Sequence, residues 1–167
     1  MLVDSRKEKL DQMAIIKEAL SQTKSPYTLE QGIAAIVAEG RAPNSICIRN
    51  GNTIFMINYD PKDKRNGVFR ALNADVPSQY IKNSVDFIKA AGMMGMKILV
   101  TDFKDETVAS IFKYIARNPP FPKMGYQIFR LKDDKGFRAV INLGHAKKNP
   151  GGSLPAEPEK AKSKGAL

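Results

Sequence analysis

The segment that most constrains the fold of this chain runs from Ala74 to Phe103 and reads ADVPSQYIKNSVDFIKAAGMMGMKILVTDF. It leaves a strand, passes through a turn, forms a helix and enters a second strand. Ile81, Val85 and Ile88 fall on one face of the helical part. The apolar run KILV that follows is typical of a buried central strand. A strand, a helix and a second strand in succession predict a parallel pair, because parallel strands need a long crossover connection.

Two helices are predicted ahead of this unit. Apolar residues at helical spacing indicate the first over residues 5–22. The second begins after Thr28, where Gln31 stands at the position that completes a capping box, and Gly40 is a natural stop. Both helices carry apolar stripes, so we expect both to pack on the rest of the domain.

Antiparallel strands are predicted on both sides of the central unit. A tight hairpin around Gly51 joins two β-rich runs, and the polar stretch PKDKRNG is expected to be a solvent-exposed loop before the strand GVFRALNADV. After KILVTDF, a helix opening at Asp105 or Thr107 is ended by NPPFP, and two further strands flank KDDKG.

The element order is therefore α α β β β α β α β β. It predicts an α/β fold with a mixed, mostly antiparallel sheet, a central parallel pair and helices on both faces. We expect an N-terminal helical arm over residues 1–27, one domain over 28–144, and a flexible basic tail over 145–167, whose composition cannot bury enough apolar surface to order itself.

Composition limits the function classes. The 167 residues carry a formal net charge of +10, which favours polyanionic partners, so nucleic acid is one candidate for contact with the basic surface. No apolar run is long enough to cross a bilayer, and the N-terminus has no apolar signal region. The lone cysteine, Cys47, fits a reducing compartment, so a cytoplasmic protein is expected. Because Cys47 lies in an apolar run, we interpret it as a buried structural thiol.

Metal and nucleotide motifs are absent from the sequence. One cysteine and one histidine are too few for a zinc site, no Walker motif is present, and no metal is predicted. The single histidine, His145, begins the tail, where a catalytic role is not expected.

The element order and its punctuation resemble the GNAT superfamily, the Gcn5-related N-acetyltransferase fold. The likeness covers about residues 28–144 and rests on GVFRALNADV leading into VPSQYIKNSVDFI, on KILVTDF, and on the pair Gly125-Tyr126 that opens a later strand. The family's turn of pattern Gln/Arg-x-x-Gly-x-Gly/Ala is matched by QYIKNS, with Gln79, Lys82 and Ser84 at the three signature positions.

The resemblance implies an acetyl-CoA site at that turn, where backbone amides at a helix N-terminus would meet the diphosphate. The residues implied in cofactor binding are Leu72, Ala74, Gln79, Lys82, Asn83 and Ser84. Lys82 stands where a glycine normally lets the ligand approach. It would either contact a phosphate as a point charge or block the site.

The resemblance also implies catalytic roles. Tyr114 occupies the position of the family's tyrosine, which protonates the leaving thiolate; the alternative is that Tyr114 fills the core beside Phe112 and Ile115. Thr107 replaces the family's usual asparagine, and the stretch RNPPFPKM lengthens the link to Gly125. Four carboxylates are available as a base, and each is expected to be a surface group: Glu30, Glu39, Asp60 and Asp75.

Two functions follow from these expectations. The first is a GNAT-like binding or structural module without efficient acetyl transfer. It would have protein partners in a larger assembly such as a tailed-bacteriophage particle, and would lie in the host cytoplasm or the virion. The alternative is an acetyl-CoA-dependent N-acetyltransferase with an atypical phosphate-binding turn. The joint loss of the glycines and the asparagine favours the first.

Overall fold

The structure, a computed structural model, describes residues 1–23, 25–104, 106–120 and 123–144. Within these residues the chain forms helices α1 (Gln12–Ser21), α2 (Leu29–Gly40), α3 (Pro77–Met93) and α4 (Glu106–Arg117). The strands are β1 (Ser45–Asn50), β2 (Thr53–Asp60), β3 (Asp63–Asn73), β4 (Ile98–Phe103), β5 (Gly125–Arg130) and β6 (Phe137–Asn142). The predicted element order is confirmed, whereas the tail over 145–167 lies outside the described residues.

The strands form one mixed sheet in the order β1-β2-β3-β4-β6-β5. β3 and β4 pair in parallel, and the neighbouring strands β1-β2, β2-β3, β4-β6 and β5-β6 pair antiparallel. The parallel pair is the one joined through α3, as the crossover connection requires. The predicted mixed sheet with a central parallel pair is therefore confirmed.

Helices cover both faces of the sheet. On one face, Phe87 of α3 stacks on Phe55 of β2 with ring centroids 4.2 Å apart and lies 5.0 Å from Phe69 of β3. α4 joins the same core cluster through Ile111, Phe112 and Ile115. On the other face, α1 and α2 cover a second cluster, which contains Ile15, Ile16, Ile36, Ile54, Met56, Leu72 and Ala74. Alternation along β2 and β3 supplies both clusters, because successive side chains of a strand point to opposite faces.

The helix ends agree with the local sequence signals at α2 and depart from them at α1. Thr28 and Gln31 form the predicted capping box, and α2 ends at Gly40. The first helix was predicted over 5–22, but it begins at Gln12 after Asp11, whose carboxylate caps Ala14. The basic residues that precede it oppose the positive helix N-terminus, which explains the later start.

Two predictions about strands are corrected. The stretch PKDKRNG is largely strand, because β3 begins at Asp63 and leaves only a short turn after β2. Lys62, Lys64 and Arg65 stay exposed at the end of a long hairpin, and Asp63 is half-buried beside Arg65. Cys47, predicted as a buried thiol, is exposed. It lies between Ile46 and Ile48 on β1, an edge strand whose other face takes the apolar side chains.

No helix among the described residues is long and apolar enough to cross a membrane.

Candidate functional site

The parallel pair opens into a fork. β3 and β4 pair at three positions, Asn66 with Ile98, Gly67 with Leu99 and Val68 with Val100. Beyond them, β3 continues to Asn73 and β4 to Phe103 with no further pairing between the two strands in the described chain. In open α/β sheets, ligands bind outside the carboxyl ends of parallel strands. The fork and the start of α3 beside it are therefore the candidate site.

Helix α3 begins at Pro77, before the signature residues Gln79, Lys82 and Ser84 that were predicted to form a turn. Val76 is its N-cap residue with extended backbone, and Pro77 is its first residue. Proline favours this position, because its fixed φ suits a helix and its missing N–H costs nothing there; it also keeps the preceding residue extended. The segment Gln79–Ser84, predicted as a phosphate-binding turn, therefore lies inside the helix. The turn that joins β3 to α3 is Ala74–Val76.

Every backbone N–H and C=O of the turn Ala74–Val76 is hydrogen-bonded within the protein. The donors and acceptors come from the N-terminal segment, from the β1–β2 hairpin, from one asparagine side chain and from α3 itself. The bonds are Ala74 N to Asn52 O (2.9 Å), Val3 N to Ala74 O (2.9 Å), Asp75 N to Asn73 Oδ1 (3.0 Å), Asn73 Nδ2 to Asp75 O (2.8 Å), Val76 N to Val3 O (3.0 Å) and Tyr80 N to Val76 O (2.9 Å). This turn consequently has no free amide to offer a ligand.

A buried polar network lies directly behind the turn. The carboxylate of Asp75, fully buried, accepts hydrogen bonds from the backbone N of Asn52 at 2.7 Å and from Nδ2 of Asn83 at 2.7 Å. Asn83 also donates to Thr53 Oγ1 and accepts from Gln79 Nε2, both at 2.9 Å. A buried carboxylate needs such partners, because an unpaired one is costly to desolvate. Asp75 was predicted as a surface group, and that prediction is wrong.

The other carboxylates considered as a base lie elsewhere. Glu30 is exposed in the first turn of α2, Glu39 pairs with Arg70, and Asp60 is exposed at the end of β2. Of these three, only Glu39 has a described contact with the forked part of β3, through Arg70.

The predicted cofactor residues serve different purposes. Leu72 and Ala74 are buried in the cluster under α1 and α2. Lys82 is exposed and pairs with Asp86 one turn along α3 at 3.2 Å. Ser84 is buried, and its hydroxyl donates to the Tyr80 carbonyl at 2.9 Å. The side chains of Asn83 and Ser84 are thus engaged in internal hydrogen bonds.

Tyr114 does not fill the core. It is 45% exposed, whereas Phe112 and Ile115 on the same helix are buried, so the core-packing alternative is wrong. Gly125 and Tyr126 begin β5 as predicted. The side chain of Thr107 and the whole of Asp105 and His145 lie outside the described residues.

Sequence reasoning missed Asn52, Asn73 and Tyr80. Asn52 was interpreted only as part of a hairpin signal, and Asn73 only as part of a strand. Tyr80 packs against the core cluster at the start of α3, and its burial raises the pKa of its hydroxyl to about 12. The signal that could have found the two asparagines is the cluster of small polar residues at the strand ends. A strand that packs on the core would otherwise carry apolar side chains there.

The chain has a GNAT-like fold. This assignment rests on the strand order, on the forked parallel pair and on the crossover through α3 between the forked strands. The expected resemblance is therefore confirmed at the level of fold.

Comparison with known proteins gives the following. No protein-family model matches the chain, and no curated protein matches it. A putative phosphinothricin N-acetyltransferase is similar in structure, with a TM-score of 0.49 and 10% identity over 83% of this chain and 98% of the other. A GNAT-family acetyltransferase from Streptococcus pneumoniae has a TM-score of 0.42 and 14% identity, covering 77% and 88%. The ribosomal-protein-S18-alanine N-acetyltransferase from Escherichia coli has a TM-score of 0.43 and 12% identity, covering 80% and 88%.

Proposed function

We propose that this chain is a GNAT-like binding module without efficient acetyl transfer, acting within a larger assembly. The single observation that carries this is the hydrogen bonding of the turn Ala74–Val76, whose six backbone polar groups all have partners inside the protein. A diphosphate is held by amides that point outward from such a turn and from the helix behind it. Here the amide groups of the turn already have hydrogen-bond partners within the protein.

Few donors remain at the start of α3. Pro77 has no N–H, and Tyr80 N already bonds the helix N-cap, which leaves the backbone N–H groups of Ser78 and Gln79. No side chain caps this end of the helix in the described chain. Two amides give a weak anion site compared with a glycine-rich cradle, in which several backbone N–H groups converge.

The second candidate is an acetyl-CoA-dependent N-acetyltransferase with an atypical phosphate-binding turn. The fork between β3 and β4 and the exposure of Tyr114 favour it. In that case acetyl-CoA would enter at the fork, and Tyr114 would protonate the leaving thiolate. Binding would have to break the bonds of the turn or use only Ser78 and Gln79.

An acetyl-transfer assay tests the proposal. Purified chain would be incubated with acetyl-CoA and a panel of primary amines and peptides, and release of the coenzyme A thiol would be followed. The Cys47→Ser variant serves as the working form, because the exposed thiol of Cys47 would react with thiol reagents. Thiol release no faster than without protein supports the binding module, whereas amine-dependent turnover overturns it.

Fractionation of the native source tests the assembly. The net charge of +10 favours an acidic protein face or nucleic acid as the partner, and a virus particle is one such assembly. Gel filtration and electron microscopy should place the chain in a large particle. A pool that is entirely free monomer contradicts this part of the proposal. If nucleic acid is the partner, binding should weaken steeply with added salt.

A further inference from the structure

The N-terminal strap, defined here as residues 1–9, crosses the turn that precedes α3. Val3 forms a parallel β-bridge with Asp75, in which Val3 N donates to Ala74 O and Val3 O accepts from Val76 N. One residue thus supplies both a donor and an acceptor to the turn. The bridge lies just beyond the end of β3, outside the named strands, and through it the strap pairs with the turn.

A second attachment lies at the end of the strap. The side-chain amide of Asn52 donates to Glu8 O at 2.8 Å and accepts from Leu10 N at 2.9 Å. Both contacts use main-chain atoms, one on Glu8 of the strap and one on Leu10, the residue that follows the strap. Apart from Val3, Asp4 and Ser5, the strap residues are exposed. Seating of the strap therefore depends on main-chain hydrogen bonds, as in recognition by strand addition, and on an ion pair between the amino group of Met1 and Glu18 of α1.

A small turn lies between the two attachments. Lys7 N and Glu8 N both donate to Asp4 O, at 2.8 and 3.1 Å, and the Arg6 guanidinium pairs with the Asp4 carboxylate. Arg6, Lys7 and Glu8 are exposed and Asp4 is half-buried, so opening the turn gives up few buried contacts. An opened turn would carry Val3 away from Asp75 while Leu10 stays anchored.

We propose that the edge of the turn Ala74–Val76 is a strand-acceptor site that takes the strap of a second copy of this chain. The strap seated within one chain already has the sequence and bonding that fit, so the same segment from another copy makes identical contacts. Such exchange of an identical element needs only a hinge that opens, and the Asp4–Glu8 turn supplies it. This inference is independent of whether the chain transfers acetyl groups.

A peptide of residues 1–10 with a fluorescent label, added to the full-length Cys47→Ser chain, tests the site. Fluorescence anisotropy should report saturable binding. A peptide carrying Val3→Pro should not bind, because proline cannot donate to Ala74 O. Binding that is equal for the two peptides, or absent for both, overturns the proposal.

Chain variants test the competition with the strap in the same molecule. Lys7→Pro removes one of the two N–H groups that bond Asp4 O across the hinge, whereas Lys7→Ala keeps both. In most molecules the chain's own strap fills the site. The apparent affinity for the peptide is therefore the intrinsic affinity multiplied by the fraction of molecules whose strap is open. Lys7→Pro should therefore bind the peptide more tightly than Lys7→Ala, and equal affinities contradict the proposed hinge. Circular dichroism checks that both variants are folded.

Sedimentation equilibrium completes the test. The Lys7→Pro chain should shift towards twice the chain mass as its concentration rises, and Lys7→Ala should shift less. Peptide binding without a dimer at any concentration overturns exchange between copies. If the Lys7→Pro variant does not fold, sedimentation equilibrium of the Cys47→Ser chain at a series of concentrations decides. A dimer that grows with concentration supports exchange, and a monomer at every concentration contradicts it.

Discussion

Nδ2 of Asn83 lies 2.7 Å from Oδ2 of Asp75, and both side chains are buried. The second turn of α3 is thereby tied to the turn that precedes the helix. The resemblance to GNAT domains predicted that a diphosphate would meet this region. Here its side chains and backbone groups face each other.

Asn83→Ala should lower the free energy of unfolding by about 3 kcal/mol, because it leaves a buried carboxylate short of a donor. Urea unfolding measures the change. The matched control is Lys82→Ala on the same helix, which removes only an exposed pair with Asp86 and should cost about 0.5 kcal/mol or less. Equal losses for the two variants would show that the Asp75–Asn83 contact contributes nothing.

Gly51→Ala should cost about 2–3 kcal/mol, since the residue has a positive φ of 58° and an added Cβ would lie 2.8 Å from Asp75 Oδ2. Thermal or urea unfolding detects this. Gly125→Ala is the control, because nothing lies within 4 Å of a Cβ there. A Gly51→Ala chain as stable as the Gly125→Ala chain would contradict the close packing of the hairpin on the network.

Tyr80 should make stability fall as the pH rises above 10. Burial raises its pKa to about 12 from the ordinary 10.0. Between these values the unfolded chain loses the proton and the folded chain keeps it, so unfolding becomes more favourable. Below pH 10 both states are protonated and no effect is expected.

The Tyr80→Phe variant should lose this component of the pH dependence, measured by urea unfolding at pH 9 and pH 11. The control is Tyr27→Phe, at a residue that is 68% exposed; it should keep the dependence of the parent chain. If Tyr80→Phe and the parent lose equal stability between the two pH values, Tyr80 is not desolvated.

Cys47 should react at once with a water-soluble thiol reagent in the native state, because it is exposed on the edge strand β1. Absorbance of the released chromophore should give the same rate, within a fewfold, in native buffer and in denaturant. A thiol that reacts only after unfolding would show that Cys47 is buried in the native state and would contradict the prediction.

The sequence predicted the fold where local signals decide the structure. Thr28 and Gln31 are three residues apart and cap α2 without outside help, and Gly51 marks a hairpin by its own backbone. The order of the elements along the chain follows in the same way. These features do not depend on distant partners.

The candidate site could not be predicted in the same way. Asp75 and Asn52 are 23 residues apart, and Val3 reaches the same turn from the start of the chain. Only the folded chain brings these groups together. The motif alignment placed the turn too late because Gln79 resembles a signature residue, whereas the helix start is decided by Pro77.

The most direct measurement of the central claim is the melting temperature of the full-length chain with and without millimolar acetyl-CoA. Tripolyphosphate at equal concentration controls for general anion binding to a basic protein. Since the amides of Ala74–Val76 already have partners, we predict no rise beyond that given by tripolyphosphate. An acetyl-CoA-specific rise contradicts it; at about 100 times the dissociation constant, binding would add about 2.7 kcal/mol to the stability of the folded chain.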